Sequence, residues 1–150
     1  MASIGEQILD AIEAALDGAG KPSGCTVHSD PTQAYEGSSS LSEIVVDPVR
    51  EQVRADDFAG SSGQFNVQRT MTVQVLLRAQ GTPPRKAVDP LRVWVIQAMM
   101  NDPTWGGKAT DTREVSTEWA ASRAEAVYAD AAVTFEIVYN TAGDDPETQE

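Results

Sequence analysis

His28 is the sole histidine of the chain and Cys25 its sole cysteine, so any imidazole-assisted serine or cysteine nucleophile has to be built from this pair. The segment around them reads as extended, and side chains three residues apart in a strand point to opposite faces. The spacing therefore favours an ordinary strand cysteine and a surface histidine over a small Cys/His-dependent enzyme. Asp56 and Asp57, like Asp144 and Asp145, are adjacent carboxylates that can in principle hold a hard cation, but neither pair has the alternating oxygen spacing of a calcium loop. They read as solvated loop acids. Gly106-Gly107-Lys108-Ala109-Thr110 lacks the glycine spacing and the Gly-Lys-Ser/Thr ending of a phosphate-binding loop. Trp94, Trp105 and Trp119 have no interleaved basic residues, which suits core and core-edge positions better than a base-stacking platform. No Cys/His set has zinc-site spacing. The chain thus reads as non-enzymatic, with no catalytic, cofactor-binding or metal-ligating residue.

Charge points away from nucleic-acid binding as well. With 23 acidic against 11 basic residues, the formal net charge is -12, and affinity for a phosphate backbone comes chiefly from Lys and Arg displacing counterions. Such an excess keeps a protein dispersed; it also suits a surface that nucleic acid passes without sticking. A lone cysteine allows no intrachain disulfide and fits synthesis in a reducing cytoplasm. The apolar residues after Met1 are spread at helical spacing, unlike a signal peptide. The longest apolar runs, such as 93–96, are far too short to cross a membrane.

The elements that must position these residues follow from periodicity. Ser3 and Glu6 form a capping box, and Ile4, Ile8, Leu9, Ile12, Ala15 and Leu16 recur on one helical face, predicting a helix over 4–17 that ends at Gly18, Gly20 and Pro22. A short extended piece covers 25–28, and 30–40 reads as loop. Residues 43–47 predict a strand stopped by Pro48. Residues 49–63 show little periodicity and read as a mobile excursion.

Phe65, Val67, Met71, Val73, Val75 and Leu77 then alternate with Asn66, Gln68, Thr70, Thr72, Gln74 and Arg78, and Arg69 alone breaks the apolar side. At about 3.3 Å per residue this strand spans roughly 50 Å, against a radius of gyration near 15 Å for a compact domain of this size. Part of it should overhang, bend or bulge, and an overhanging strand presents unpaired N–H and C=O groups to a neighbour. Gln68, Thr70, Thr72 and Gln74, on its polar face, are the candidate interface residues.

After a turn at 81–84, Asp89 and Pro90 read as the N-cap and first residue of a second helix whose buried stripe is Leu91, Trp94, Val95, Ala98 and Met99. It ends near Asn101 in the turn 102–107, where Trp105 closes over a core edge. Val115, Thr117 and Trp119 alternate as a strand, 120–125 reads as a turn or short helix, and 127–140 predicts a final strand with Val133, Phe135, Ile137 and Tyr139 on one face. The order predicts one α+β domain over 1–141, an antiparallel sheet with both helices on one face and a long protruding strand or hairpin. Residues 142–150 predict a disordered acidic tail, since 143–150 hold four acids and no apolar residue beyond Pro146.

This layout, a long alternating strand (Val67 to Leu77), a helix opened by Asp89 and carrying Trp94, a turn, a strand, and a closing strand from Ala131 to Tyr139, resembles the tail-terminator family of long-tailed phages, also called minor tail or tail-completion proteins. Asn101-Asp102-Pro103-Thr104-Trp105-Gly106-Gly107 is similar to the Asp-Pro-Thr turn of related minor tail proteins. With the first helix and the strand at 44–46, the resemblance covers about 1–141; the excursion 49–63 and the acidic tail are departures from it. It implies a structural virion protein, monomeric or weakly associated when free, that forms a hexameric ring on the head-proximal end of a finished tail tube, halts polymerisation and presents the surface for head joining. Its implied partners are other copies of itself, the tail tube protein and a head-tail connector or neck protein, with DNA passing through the lumen and no membrane or cofactor involved. A connector or head-closure subunit and a free-standing binding module are the other readings. Asp56 and Asp57 are the candidates for lumen-facing charge. Replacing both with Lys should impair DNA passage, and a titre of infectious particles equal to that of the parent would refute that role.

Overall fold

The computed structural model describes residues 2–18, 20–28, 42–55, 66–81, 84–121, 128–142 and 145–149. The chain runs α1 (Ile4–Leu16), β1 (Cys25–His28), β2 (Ser42–Ala55), β3 (Asn66–Gln80), α2 (Pro84–Asn101), β4 (Asp111–Ala121), β5 (Tyr128–Ala142) and β6 (Asp145–Gln149). It is an α+β fold, and the main strands lie in the order β1-β2-β3-β5-β4, with β6 added to β5. The sheet is mixed rather than antiparallel, because β1 runs parallel to β2 while every other pair is antiparallel.

Alternation along β3 and β5 decides where the core sits. Val73, Val75 and Leu77 on β3 and Val133, Phe135 and Ile137 on β5 are fully buried on one face, joined there by Ile44 and Val46 of β2. Onto that face pack Ile8, Ile12 and Leu16 of α1 and Val88, Leu91, Val95 and Met99 of α2, so both helices share one side of the sheet. Ser3 caps α1 as its sequence announces, its hydroxyl oxygen accepting from the Glu6 N–H at 3.1 Å. The Trp94 indole N–H donates to the Leu16 carbonyl at 3.2 Å and ties the end of α1 to α2. Among the described residues no helix is long and apolar enough to cross a membrane.

Several boundaries differ from the sequence reading. Strand β2 does not stop at Pro48: it continues to Ala55, with the register slipping between Pro48 and Arg50. Proline lacks a donor and is tolerated in strands at bulges and on edges, and Pro48 meets both conditions. Residues 49–55 are therefore strand, not excursion, with 50–55 paired to β3 and Val49 at the bulge; 56–63 lie outside the described residues. Helix α2 starts at Pro84, placing Asp89 and Pro90 inside it. The missing Pro90 N–H leaves the Lys86 carbonyl without its usual intrahelical donor, but the added turn buries Val88 completely, and burial of that side chain outweighs the local signal.

Strand β4 begins at Asp111, ahead of the apolar alternation. Within the acidic tail, Asp145–Gln149 is strand: β6 pairs with β5 at Thr141 and Ala142 and lies beside α1. Backbone pairing needs no apolar side chain, so composition is blind to it.

Among the described residues Phe135 is the largest fully buried side chain, on the strand between β3 and β4. Phe135→Ala should lower unfolding free energy by about 3–5 kcal/mol, read as a lower urea midpoint with an unchanged slope.

Candidate assembly interface

The structure separates Cys25 from His28. Cys25 and Val27 face the helices with the core, which puts Thr26 and His28 on the other face. Burial pushes the Cys25 thiol up, away from a reactive thiolate. His28 Nε2 lies 3.6 Å from Glu43 Oε1 on the far face, Glu43 being almost wholly buried. Among the described residues no three His, Cys, Asp or Glu side chains converge as a metal site.

The Gly-Gly-Lys turn serves local geometry. Asp102 Oδ1 accepts from the Thr104 N–H at 3.1 Å and hydroxyl at 2.7 Å, and Oδ2 accepts from the Gly106 N–H at 2.8 Å. The Thr104 hydroxyl first, and then the backbone donors, hold the Asp102 carboxyl below its usual range. Trp105, Gly106 and Gly107 all take positive φ, at 50°, 72° and 88°, which explains the paired glycines. Trp105 is buried and its indole N–H donates to the Thr112 hydroxyl at 2.9 Å, while that hydroxyl donates to the Pro103 carbonyl at 2.8 Å. The turn thereby seats the start of β4. Trp119 departs from the core-edge expectation: it is 55% exposed, with the Arg92 guanidinium 5.5 Å from its ring centroid.

Gln68, Thr70, Thr72 and Gln74 are half-buried on the face away from the helices. Their strand does not offer backbone to a neighbour as its length suggested, because β3 is flanked by β5 along its whole run and by β2 from Val67 to Ala79. These four residues can contribute side chains alone. Asp56 and Asp57 lie outside the described residues.

The free backbone lies elsewhere, on two unlike edges. β1 covers β2 only from Ser42 to Val45, so among the described residues 46–55 have no strand on that side. At the opposite margin β4 pairs with β5 and with no other described strand. The most exposed large apolar side chains described fall on these two edges: Val49 at 51% and Val53 at 57% on β2, Val115 at 49% and Trp119 at 55% on β4. An edge with apolar side chains and open hydrogen-bonding groups is what soluble monomers ordinarily avoid. Beside β4, Leu76 and Ala132 line a groove of about 300 Å³ flanked by Glu118 and Asp130.

No family model matches the chain, and no curated protein matches it. The edges have to be read from their own residues.

The outer half of β2 is braced from the helix side. Arg69, which interrupts the apolar face of β3, donates from Nη1 to Glu51 Oε2 at 3.1 Å and from Nε to the Thr141 hydroxyl at 2.9 Å. The Tyr139 hydroxyl donates to the other Glu51 oxygen. Sequence reasoning missed this half-strand because Pro48 and the polar Glu51 interrupt the alternation; Val49 and Val53, each followed by an arginine, were the available signal.

Burial, then the bond to Glu51 and its charge, push the Tyr139 phenol well above its ordinary value, with Arg69 opposing. A raised folded-state pKa means that its contribution is complete below the unfolded value, about 10, and is lost as pH rises beyond it. Tyr139→Phe should cost about 1–3 kcal/mol at neutral pH and remove part of the alkaline destabilisation above pH ~10. Urea titrations of both proteins across that range measure it; parallel pH profiles would refute the assignment.

Proposed function

We propose that the protein is a structural subunit that assembles with copies of itself into a ring and terminates a phage tail tube. The observation that carries this reading is the pair of unlike open edges on one sheet. Edges that differ in sequence favour head-to-tail contacts over two-fold ones, and such contacts close into rings when the rotation between neighbours allows. The resemblance in layout to tail terminators supplies the context, a hexameric ring at the head-proximal end of the tail with tube protein on one side and a connector or neck protein on the other. The side-chain face of Gln68, Thr70, Thr72 and Gln74 is available for one of these partners.

Termination needs one surface complementary to the last tube ring and another that cannot template a further one. The acid excess suits a channel wall that DNA slides past, effective within about 8 Å at physiological salt. Electron microscopy of the purified protein mixed with tail tubes should show density capping one end of each tube, with tube lengthening arrested. Tubes that keep bare ends and go on growing would refute the reading.

A further inference from the structure

We infer that the contact between copies is a β-strand addition: the outer half of β2 from one copy pairs antiparallel with β4 of the next. This names the partner surface within the ring reading above and rests on it. Strand direction comes first. The antiparallel pairings make β2 and β5 run one way and β3 and β4 the other. A second copy set edge to edge in the same orientation therefore brings its β2 antiparallel to β4, with helix face continuing helix face.

Side chains then select a register. Read forward, β2 gives Val49-Arg50-Glu51-Gln52-Val53-Arg54; read backward, β4 gives Trp119-Glu118-Thr117-Ser116-Val115-Glu114. Aligned in this way, Val49 lies beside Trp119, Arg50 beside Glu118, Gln52 beside Ser116 and Val53 beside Val115. The faces agree where the strands are regular. Arg50 and Gln52 sit opposite Thr72 and Thr70, and Glu118 and Ser116 opposite Ala132 and Thr134, all on the side away from the helices. Val49 and Val115 are the residues that the two bulges skip, so each edge carries its irregularity beside an exposed apolar residue.

Charge agrees as well. Among the described residues, no ion pair engages Arg50, Arg54, Glu114 or Glu118, although Arg69, Arg78, Arg92 and Arg113 all have acidic partners. In a chain with 11 basic residues against 23 acidic, two arginines without such partners on one open edge and two glutamates on the other make the unlike edges attract, whereas like edges repel. Such complementarity fixes register and excludes the two-fold alternative more than it adds raw affinity.

The test uses the full chain in a Cys25→Ala background, at high concentration under mild oxidation. Directly opposed residues of an antiparallel pair have Cα atoms about 4.5–5.5 Å apart, within disulfide reach. Gln52→Cys combined with Ser116→Cys should give a ladder of covalent oligomers on non-reducing gels, and either cysteine alone should give none. Separately, Arg50→Glu and Glu118→Arg should each weaken self-association by roughly tenfold or more in sedimentation equilibrium, and the double reversal should recover it. All four positions are at the surface or half-buried, and circular dichroism confirms that the variants are folded.

Absence of the ladder, covalent dimers from either single cysteine, or a double reversal no better than the singles would overturn the inference. These readouts need no tail tube. A ladder with no capping of tubes would sink the tail-terminator reading alone; capping with no ladder would sink this interface alone.

Discussion

All 15 residues of β3 pair with β5 in unbroken register, and nearly every other element takes its place from that ladder. Each strand has one apolar face, so slipping the pairing by one residue would turn Val73, Val75 and Leu77, or Val133, Phe135 and Ile137, out of the core. The helices then have one surface to cover. β2 and β4 are added outside, one on each side, and because the central ladder is complete, the unsatisfied backbone is pushed to the two margins. The same arrangement that makes the core well specified leaves open backbone, among the described residues, at both margins.

What the sequence makes legible is what has a period. The stripe of α1, the face of β5 and the long alternation of β3 are each visible as apolar spacing, and the structure places them accordingly. Boundaries set by single residues are less legible, because Pro48 and Pro90 carry strong local signals that a bulge on an edge and the burial of Val88 override. The parallel β1-β2 pair is invisible for another reason: strand direction is a property of chain tracing, and no residue in Cys25–His28 encodes it. The open edges were the least legible part. Length in β3 correctly signalled unusual strand extent, but β2 pairs with it from Val67 to Ala79, which moved the open groups one strand outward from Gln68, Thr70, Thr72 and Gln74.

The uneven use of cations is the second organising feature. Arg78 bonds Asp130 through two nitrogens at 2.7 and 3.0 Å, Arg113 reaches Glu136, and Arg69 reaches Glu51, each pair spanning neighbouring strands. These bridges are partly exposed and individually worth little. Their larger effect is to neutralise acids, Asp130 and Glu136 on the far side of the sheet and Glu51 on the helix side, in a chain where repulsion between carboxylates is the prevailing long-range force.

Gly5 brings the first turn of α1 down onto Tyr139, to the point that a methyl group at that position would stand 2.7 Å from the phenolic oxygen. Because that oxygen also anchors Glu51, position 5 is linked to a strand residue far from it in the chain. A side chain at position 5 would therefore press on the phenol and on its bond to Glu51, while Arg69 still holds the other Glu51 oxygen and the Thr141 hydroxyl. The amino-terminal helix thus reaches the outer half of β2 through one phenol, and the space left by the absent side chain at position 5 is what lets it.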